Sequence, residues 1–454
     1  MKKAKLLLSL SSVALLAGLT GCSVKGAEYT AGNPVKVGLI CLHDNESTYD
    51  ANFINALNDA VKNLGKDKVV FEENCLLTGV AESQDCYDAC KDLVKKGCNV
   101  VFADSFGHQE FLLKAAKEWP TVQFCHATGT NAKTADLSNY HNAFASIYEG
   151  RFLAGYAAGL RLALDHWTLH PTEEFPDTKV GYVGAFTYAE VVSGYTSWFL
   201  GVRAALTDSG FDPAKLTMDV QFTGSWYDQK EEASAADALI KKGAVLVSQH
   251  ADSMGAPGTC ETAGIPNVTY NVETGDKCPN TYLAYSRINW APYYENVVNS
   301  MFAGKSAFDG EKNHNWTGTI NTNSVQYNVN WDVLVKNAPA EGKAMTIASA
   351  KAQFAVAESF VKTYGAQVIF NTAAFTLSKT AYAEAIAAGT LELDADGHVT
   401  KYLADTDGDY KGDTNVIVPA NSTLGGGYFN ESAECSAPYF DLRIEGINLL
   451  NEKY

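Results

Sequence analysis

VKVGLICL, Val35 to Leu42, carries no polar side chain after Lys36 until its end, the composition of a strand buried on both faces. The pattern downstream of this strand decides the fold. Phe53 to Leu64 has apolar residues at helical spacing, Val69 to Glu72 is β-branched again, and a helical pattern returns from about Ser83 to Lys96. Asn99 to Ala103 (NVVFA) reads as a third strand, Glu110 to Glu118 as a helix, Val122 to His126 as a strand, and Ser146 to Leu164 as a long helix rich in Gly and Ala. Short β-branched runs alternating with helices predict a parallel sheet with crossover helices. The rhythm then restarts, with strands at Lys179 to Ala185, Leu216 to Thr223 and Ala244 to Gln249 and helices at Val192 to Ser209 and Gln229 to Lys242. The expected fold class is therefore α/β, two doubly wound parallel-sheet lobes joined by a hinge. The first lobe is expected from 35–147 plus about 285–310, the second from 148–284 plus about 315–454 including an extended C-terminal region. Open sheets of this kind take ligands at the carboxyl ends of their strands, so the loops after Leu42, Ala103, Phe124, Ala185, Thr223 and Gln249 define the expected cleft.

Upstream of the first strand, Lys2, Lys3 and Lys5 precede the apolar run Leu6 to Leu19 and the tetrapeptide Leu19-Thr20-Gly21-Cys22. A basic start, a short apolar stretch and a small-residue cleavage site read as an export signal. The tetrapeptide resembles a lipobox, which implies cleavage before Cys22 and its lipidation; the alternative is an ordinary signal peptide with an incidental thiol. Acyl chains contribute about 0.8 kcal/mol per buried methylene, and two of them anchor a protein stably. Residues 23–34, small and polar, would be the tether of a protein held on the outer, extracytoplasmic face of a bacterial cell membrane. No later segment approaches eighteen uninterrupted apolar residues.

The full chain is 46% hydrophobic and can bury large cores. Its 35 basic against 52 acidic residues, a net charge of −17, argue against nucleic acid as a partner. Ten cysteines less Cys22 leave an odd nine, so at least one thiol is free or pairs outside the chain. Cys75 with Cys86 or Cys90, and Cys260 with Cys278, are the candidate pairs nearest in sequence. No cysteine has the spacing of a zinc motif, and no cofactor is expected.

The cleft loops also carry a family resemblance. YEGRFLAGYAAGL (Tyr148 to Leu160), preceded by FCHATG (Phe124 to Gly129) and followed by KVGYVGAF (Lys179 to Phe186), resembles the basic membrane protein family of ABC-transporter substrate-binding lipoproteins. GSWYD (Gly224 to Asp228), QHADS (Gln249 to Ser253) and NWAPYY (Asn289 to Tyr294) extend it, with AEAIAAGT (Ala383 to Thr390) as a weaker match. The resemblance implies a periplasmic binding protein type I-like fold, a purine base or nucleoside as ligand, and an ABC permease and ATPase as partners. Tyr148-Glu149-Gly150-Arg151 then reads as a hinge and helix start, and lobe closure as the mechanism.

A purine offers two flat faces and a hydrogen-bonding edge. Stacking contributes roughly 1–3 kcal/mol and a bidentate edge contact a similar amount, so two plates and an edge pair reach micromolar affinity, about 8 kcal/mol. Trp226 matches the family position expected to stack on the base, against the alternative of a core Trp closing the lobe. Asp252 either accepts from a purine N–H or caps a helix. Tyr49 lies where the purine-base subgroup carries a Gly-Gly-Trp-Thr-Tyr run; here the Trp position is Ser47, which leaves one plate in question. Phe106 precedes Gly107, whose lack of a side chain permits close approach. His126 stands where nucleoside-binding relatives carry an Asp, and it serves either the ligand or the core. Glu190, with Tyr188, follows the Lys179 strand and reads as a cleft carboxylate or a helix-capping one.

Asp405, Asp407, Asp409 and Asp413 occupy positions one, three, five and nine of an EF-hand-like loop, but Tyr410 replaces the glycine and Val416 the bidentate acid, leaving calcium a weak candidate. There is no Gly-x-Ser-x-Gly elbow, His-Glu-x-x-His, Walker loop or dinucleotide fingerprint, so an enzyme is not expected. A purine-processing hydrolase built on His250 with Asp252, or on His126 with Glu190, is the remoter alternative. A ligand-sensing or host-interacting surface lipoprotein fits the same sequence.

Overall fold

The computed structural model describes residues 25–170, 172–307, 314–336, 345–365, 391–393, 399–404, 414–417 and 446–451. Residues 1–24, which hold Cys22, and the acidic loop 405–413 lie outside the described residues. The first lobe opens with β1 (Val35–Ile40), α1 (Thr48–Leu64), β2 (Val69–Leu77), α2 (Gln84–Lys95), β3 (Val100–Ala103), α3 (Gln109–Glu118), β4 (Gln123–Ala127), α4 (Ala132–Ala135) and β5 (Tyr140–Ala145). The second continues with α5 (Ile147–Leu169), β6 (Thr178–Gly184), α6 (Ala189–Asp208), β7 (Leu216–Phe222), α7 (Gln229–Lys241), β8 (Ala244–His250), α8 (Gly255–Ala263), β9 (Asn267–Tyr270) and β10 (Tyr282–Ile288). The chain then returns through α9 (Ala291–Phe302) and β11 (Asn315–Gly318) to the first lobe, and through β12 (Val325–Val329), α10 (Trp331–Leu334) and α11 (Ile347–Tyr364) to the second.

The first sheet runs β11-β5-β4-β3-β1-β2, every pair parallel. In the second, β12-β10-β9-β8-β6-β7 is extended by β16 (Ile447–Leu449), which pairs parallel with β7, while β12 runs antiparallel to β10. Between them in sequence, β13 (Leu391–Leu393), β14 (Val399–Ala404) and β15 (Thr414–Ile417) form a small antiparallel sheet. The two doubly wound lobes expected from the alternating pattern are present. Strand β5, YHNAFA, has little β-branched character and escapes the sequence pattern. Its polar members are satisfied sideways: His141 Nε2 meets Gln123 Oε1 at 2.8 Å and Asn142 Nδ2 donates to Asn315 Oδ1 at 2.9 Å. Local capping fixes where helices begin: Ser47 Oγ accepts from the Asp50 N–H ahead of α1, and the Asp228 carboxylate accepts from Lys230 and Glu231 N–H ahead of α7.

The eight cysteines among the described residues are buried free thiols. Cys75 meets Cys98 at 3.7 Å, not Cys86 or Cys90. Leu93 and Cys98 close over Gly38 of β1, the strand between β2 and β3, where an added methyl would fall 2.8 Å from Leu93 Cδ1 and 3.2 Å from Cys98 Sγ.

Among the described residues three passages connect the lobes, after β5, after β10 and between β11 and β12, and backbone bonds tie them together. Ser146 N–H donates to Gly318 O at 2.8 Å and Asn289 N–H to Ser324 O at 2.7 Å. At the start of α5, Glu149 Oε2 accepts from Ile320 N–H at 2.8 Å. Burial pushes the Glu149 carboxyl from its ordinary 4.5 to about 7, with the Ile320 bond pulling the other way. The fold thus binds a proton here more tightly than the unfolded chain, so this contribution to stability is present below the ordinary value and lost as the pH rises through about 7. Glu149→Gln, which keeps an acceptor for Ile320, should match the native protein near pH 4 and exceed it by about 3 kcal/mol near pH 8. Urea unfolding at the two pH values measures this; equal stabilities at the higher pH would contradict a buried, ionised Glu149.

Candidate functional site

The strand ends of both sheets converge on one cleft. From the first lobe, Tyr49 in the opening turn of α1 donates its hydroxyl to Asp104 O at 2.8 Å and lies 3.3 Å from Thr128 Oγ1. Burial, and then the Glu190 charge across the cleft, raise the Tyr49 hydroxyl well above its usual value, which keeps it neutral. The backbone of Thr48 reaches across the gap, its N–H donating to Asp252 O at 2.9 Å. Thr128 after β4 and Asn271 after β9 hold φ of 66° and 68°. A β-branched residue in the left-handed region is strained, and such strain persists where the surroundings over-determine it, commonly at ligand clamps.

Aromatic rings span the mouth. Phe106, in the turn after β3, is 36% exposed and stacks on Tyr188 of the second lobe with centroids 5.8 Å apart. Tyr188 stacks on Phe186 at 5.1 Å, and Trp226 meets Phe186 edge-on at 5.0 Å and Tyr188 at 5.8 Å. Beside this row His43 faces Tyr227 at 5.5 Å, a second ring contact between lobes. Trp226 is half-buried in the loop after β7, and its carbonyl accepts from the Asp252 N–H at 2.9 Å.

The second lobe supplies a charged floor. Glu190, in the first turn of α6, accepts the Tyr270 hydroxyl on Oε1 at 2.9 Å, with His250 Nε2 at 3.5 Å from the same oxygen. Burial alone would raise this carboxyl, but the His250 and Tyr270 bonds and the Arg151 charge hold it below its ordinary value, so it is ionised. His250 is neutral, pushed down to about 4 by burial and by Arg151. The Arg151 guanidinium lies 3.6 Å over the Tyr270 ring, and Nη1 donates to Gln249 O at 2.9 Å. Asp252 accepts from Asn271 Nδ2 at 3.2 Å. Burial and the neighbouring Glu232 raise it well above the carboxylate range, leaving a neutral acid.

Of the residues singled out by sequence, Tyr49, Phe106, Glu190, Trp226 and Asp252 come together around the cleft. His126 does not share its open space. It is fully enclosed, its Nε2 is 2.7 Å from Ser105 O, and burial pushes it down to about 4. Phe186, Tyr270 and Arg151 were not expected here. The YEGR segment reads as a hinge, and only the cost of a charge on a Gly- and Ala-rich helix could have signalled that Arg151 needs a polar cleft. The assembled groups suit a flat ligand with N–H donors: a row of aromatic rings at the mouth, one ionised acceptor, and one neutral acid able to donate or accept.

Residues 38–352 match the family described as Bmp: ABC transporter substrate-binding protein PnrA-like. A purine-binding protein of Brucella abortus is 31% identical over 293 residues, 64% of this chain and 75% of that protein. A putative ABC transporter glucose-binding protein of Haloferax volcanii is 29% identical over 206 residues, 45% of this chain and 46% of that one. Among solved structures, an ABC transporter solute-binding protein from Conexibacter woesei aligns with a TM-score of 0.52 at 18% identity, covering 72% of this chain and 96% of that one. A transcriptional activator of the comK gene from Bacillus halodurans aligns with a TM-score of 0.52 at 18% identity, covering 73% and 98%. Those likenesses show the two-lobed, periplasmic binding protein type I-like fold, while the family match extends over both lobes: the chain belongs to the Bmp family of PnrA-like ABC transporter substrate-binding proteins.

Proposed function

We propose that the protein captures a purine base or nucleoside between its lobes and delivers it to an ABC permease and its ATPase, from a lipid tether at Cys22 on the outer face of the membrane. The observation that carries this reading is the meeting of Phe106, Tyr188, Phe186 and Trp226 at the cleft mouth, with the ionised Glu190 two residues beyond Tyr188 at the start of α6. Rings from both lobes offer the stacking faces a base needs, and a fixed carboxylate accepts from its N–H edge. The ligand named for the Brucella relative supports the same class. A tether keeps the loaded protein within reach of its permease; membrane fractionation reads it, and native protein recovered only in the soluble fraction counts against it.

Calorimetry with purine bases, nucleosides, glucose and other sugars, and amino acids tests the ligand. Heat with purines alone is the expected result; binding confined to sugars would replace this reading with the one suggested by the Haloferax relative. In the same assay Trp226→Ala should weaken purine binding at least tenfold, about 1.4 kcal/mol of lost stacking. Unchanged affinity removes Trp226 from the ligand contacts.

A further inference from the structure

Cys41, Asp50 and Asp104 converge under the first lobe's side of the cleft. One donor atom from each lies within 4.8 Å of the others, and all three side chains are buried. His43, half-exposed at the edge, places Nδ1 3.5 Å from Asp50 Oδ2. The carboxyls are oriented from behind: His43 N–H donates to Asp50 Oδ1 at 2.8 Å, Ser47 Oγ to Asp50 Oδ2 at 2.5 Å, and Leu42 N–H to Asp104 Oδ1 at 3.2 Å. Asp104 Oδ2 is left enclosed without a hydrogen-bond partner. So is the hydroxyl of Tyr294, which sits in the field of Cys41 and Asp104 with its ring fixed edge-on by Phe102 at 4.7 Å.

Two carboxyls and a thiol enclosed together must be neutralised, by protons or by a cation. We propose that Cys41, His43, Asp50 and Asp104 form a binding site for a divalent transition metal of the zinc type. Cys41 Sγ and one carboxylate oxygen each from Asp50 and Asp104 are the three donors already gathered, His43 on the rim would complete a four-donor set that zinc accepts by turning its ring inward from Asp50, and the thiolate disfavours magnesium and calcium. The backbone N–H groups and the Ser47 hydroxyl supply the outer contacts that hold ligating carboxylates in place. Binding displaces the thiol proton and any proton shared between the carboxyls, so uptake releases protons and tightens as the pH rises. The site lies at the foot of α1, whose Thr48 N–H bonds to Asp252 across the cleft, so occupation also steadies that contact.

Titrating the metal-stripped protein with Co2+ and then Zn2+ tests the assignment. One equivalent of Co2+ should bind with a thiolate-to-metal charge-transfer absorbance that Zn2+ abolishes. Cys41→Ser should remove that absorbance, and Asp104→Asn and His43→Ala should each weaken uptake at least tenfold. His43 is on the rim, so its variant keeps the test valid if the buried variants fail to fold. Absence of uptake, a bound Co2+ without the thiolate absorbance, or native affinity in His43→Ala and Asp104→Asn would each overturn the proposal.

Discussion

Glu190→Gln is expected to weaken purine binding by about 2 kcal/mol, roughly thirtyfold, at neutral pH. One oxygen of this carboxylate is taken by Tyr270 and His250, while the side chain remains 13% exposed on the cleft side of α6. A hydrogen bond from a ligand N–H to a carboxylate contributes about 1.5–3 kcal/mol, and glutamine keeps the shape while removing the charge. The substitution also leaves Arg151 with less compensation. Arg151 is 1% exposed, and Asp252, an acid that also acts on it, is held neutral. Arg151 and Glu190 interact through space and not as a hydrogen-bonded pair, so losing the carboxylate charge costs on the order of 2 kcal/mol of stability. Two measurements therefore separate two roles. Calorimetry reads the ligand contact and denaturant unfolding reads the counter-ion. A variant that is destabilised yet binds within twofold of the native protein makes Glu190 a counter-ion only. Because the Glu190 carboxyl is held below its ordinary value, its acceptor role should persist on acidification and be lost only as the pH falls through that depressed value.

How legible this site is in the sequence differs by residue, and the reason is distance along the chain. Strands β1, β3, β4, β6, β7 and β8 announce themselves by local composition, and their carboxyl ends locate Tyr49, Phe106, Trp226 and Asp252 without any knowledge of contacts. The hinge passages do not. Joining β11 to β5 brings together residues more than 170 positions apart, and no periodicity records such a pairing. The same holds for β16, which adds to the edge of β7 from the far C-terminal end. Arg151 reads as a helix start because its partners, Tyr270 and Gln249, lie about a hundred residues away. His126 is the converse case: strand-end position is visible in sequence, but whether a ring at that position faces the gap or the Ser105 carbonyl depends on the packing of the next loop. The Cys41 cluster is hidden for a similar reason, since Asp104 reaches it from β3 and no fixed spacing connects the two.

Gly201→Ala should destabilise the protein by about 3 kcal/mol, the upper range for forcing extra volume into a packed interior. The Gly- and Ala-rich stretch of α5 suggests close helix packing, and the structure shows how close. A methyl group added at Gly201 would fall 2.0 Å from the Phe152 carbonyl oxygen of α5; one added at Gly155 would fall 2.0 Å from the Trp198 carbonyl oxygen of α6. The contacts are reciprocal and backbone to backbone, so no side-chain rotation relieves them, and the helices must separate. That separation is not confined to the core. Helix α5 carries Arg151 in its opening turns and α6 carries Glu190, so pushing the pair apart also moves both ends of the charged floor. Purine affinity should fall with stability in Gly201→Ala although no ligand contact has been altered. Gly258→Ala in α8, where an added methyl meets nothing within 4 Å, isolates the backbone effect and should be neutral or stabilising by about 0.5 kcal/mol. Urea unfolding and calorimetry on both variants decide the matter. If Gly201→Ala unfolds like the native protein, the two helices are not held backbone to backbone, and the floor of the cleft does not depend on their contact.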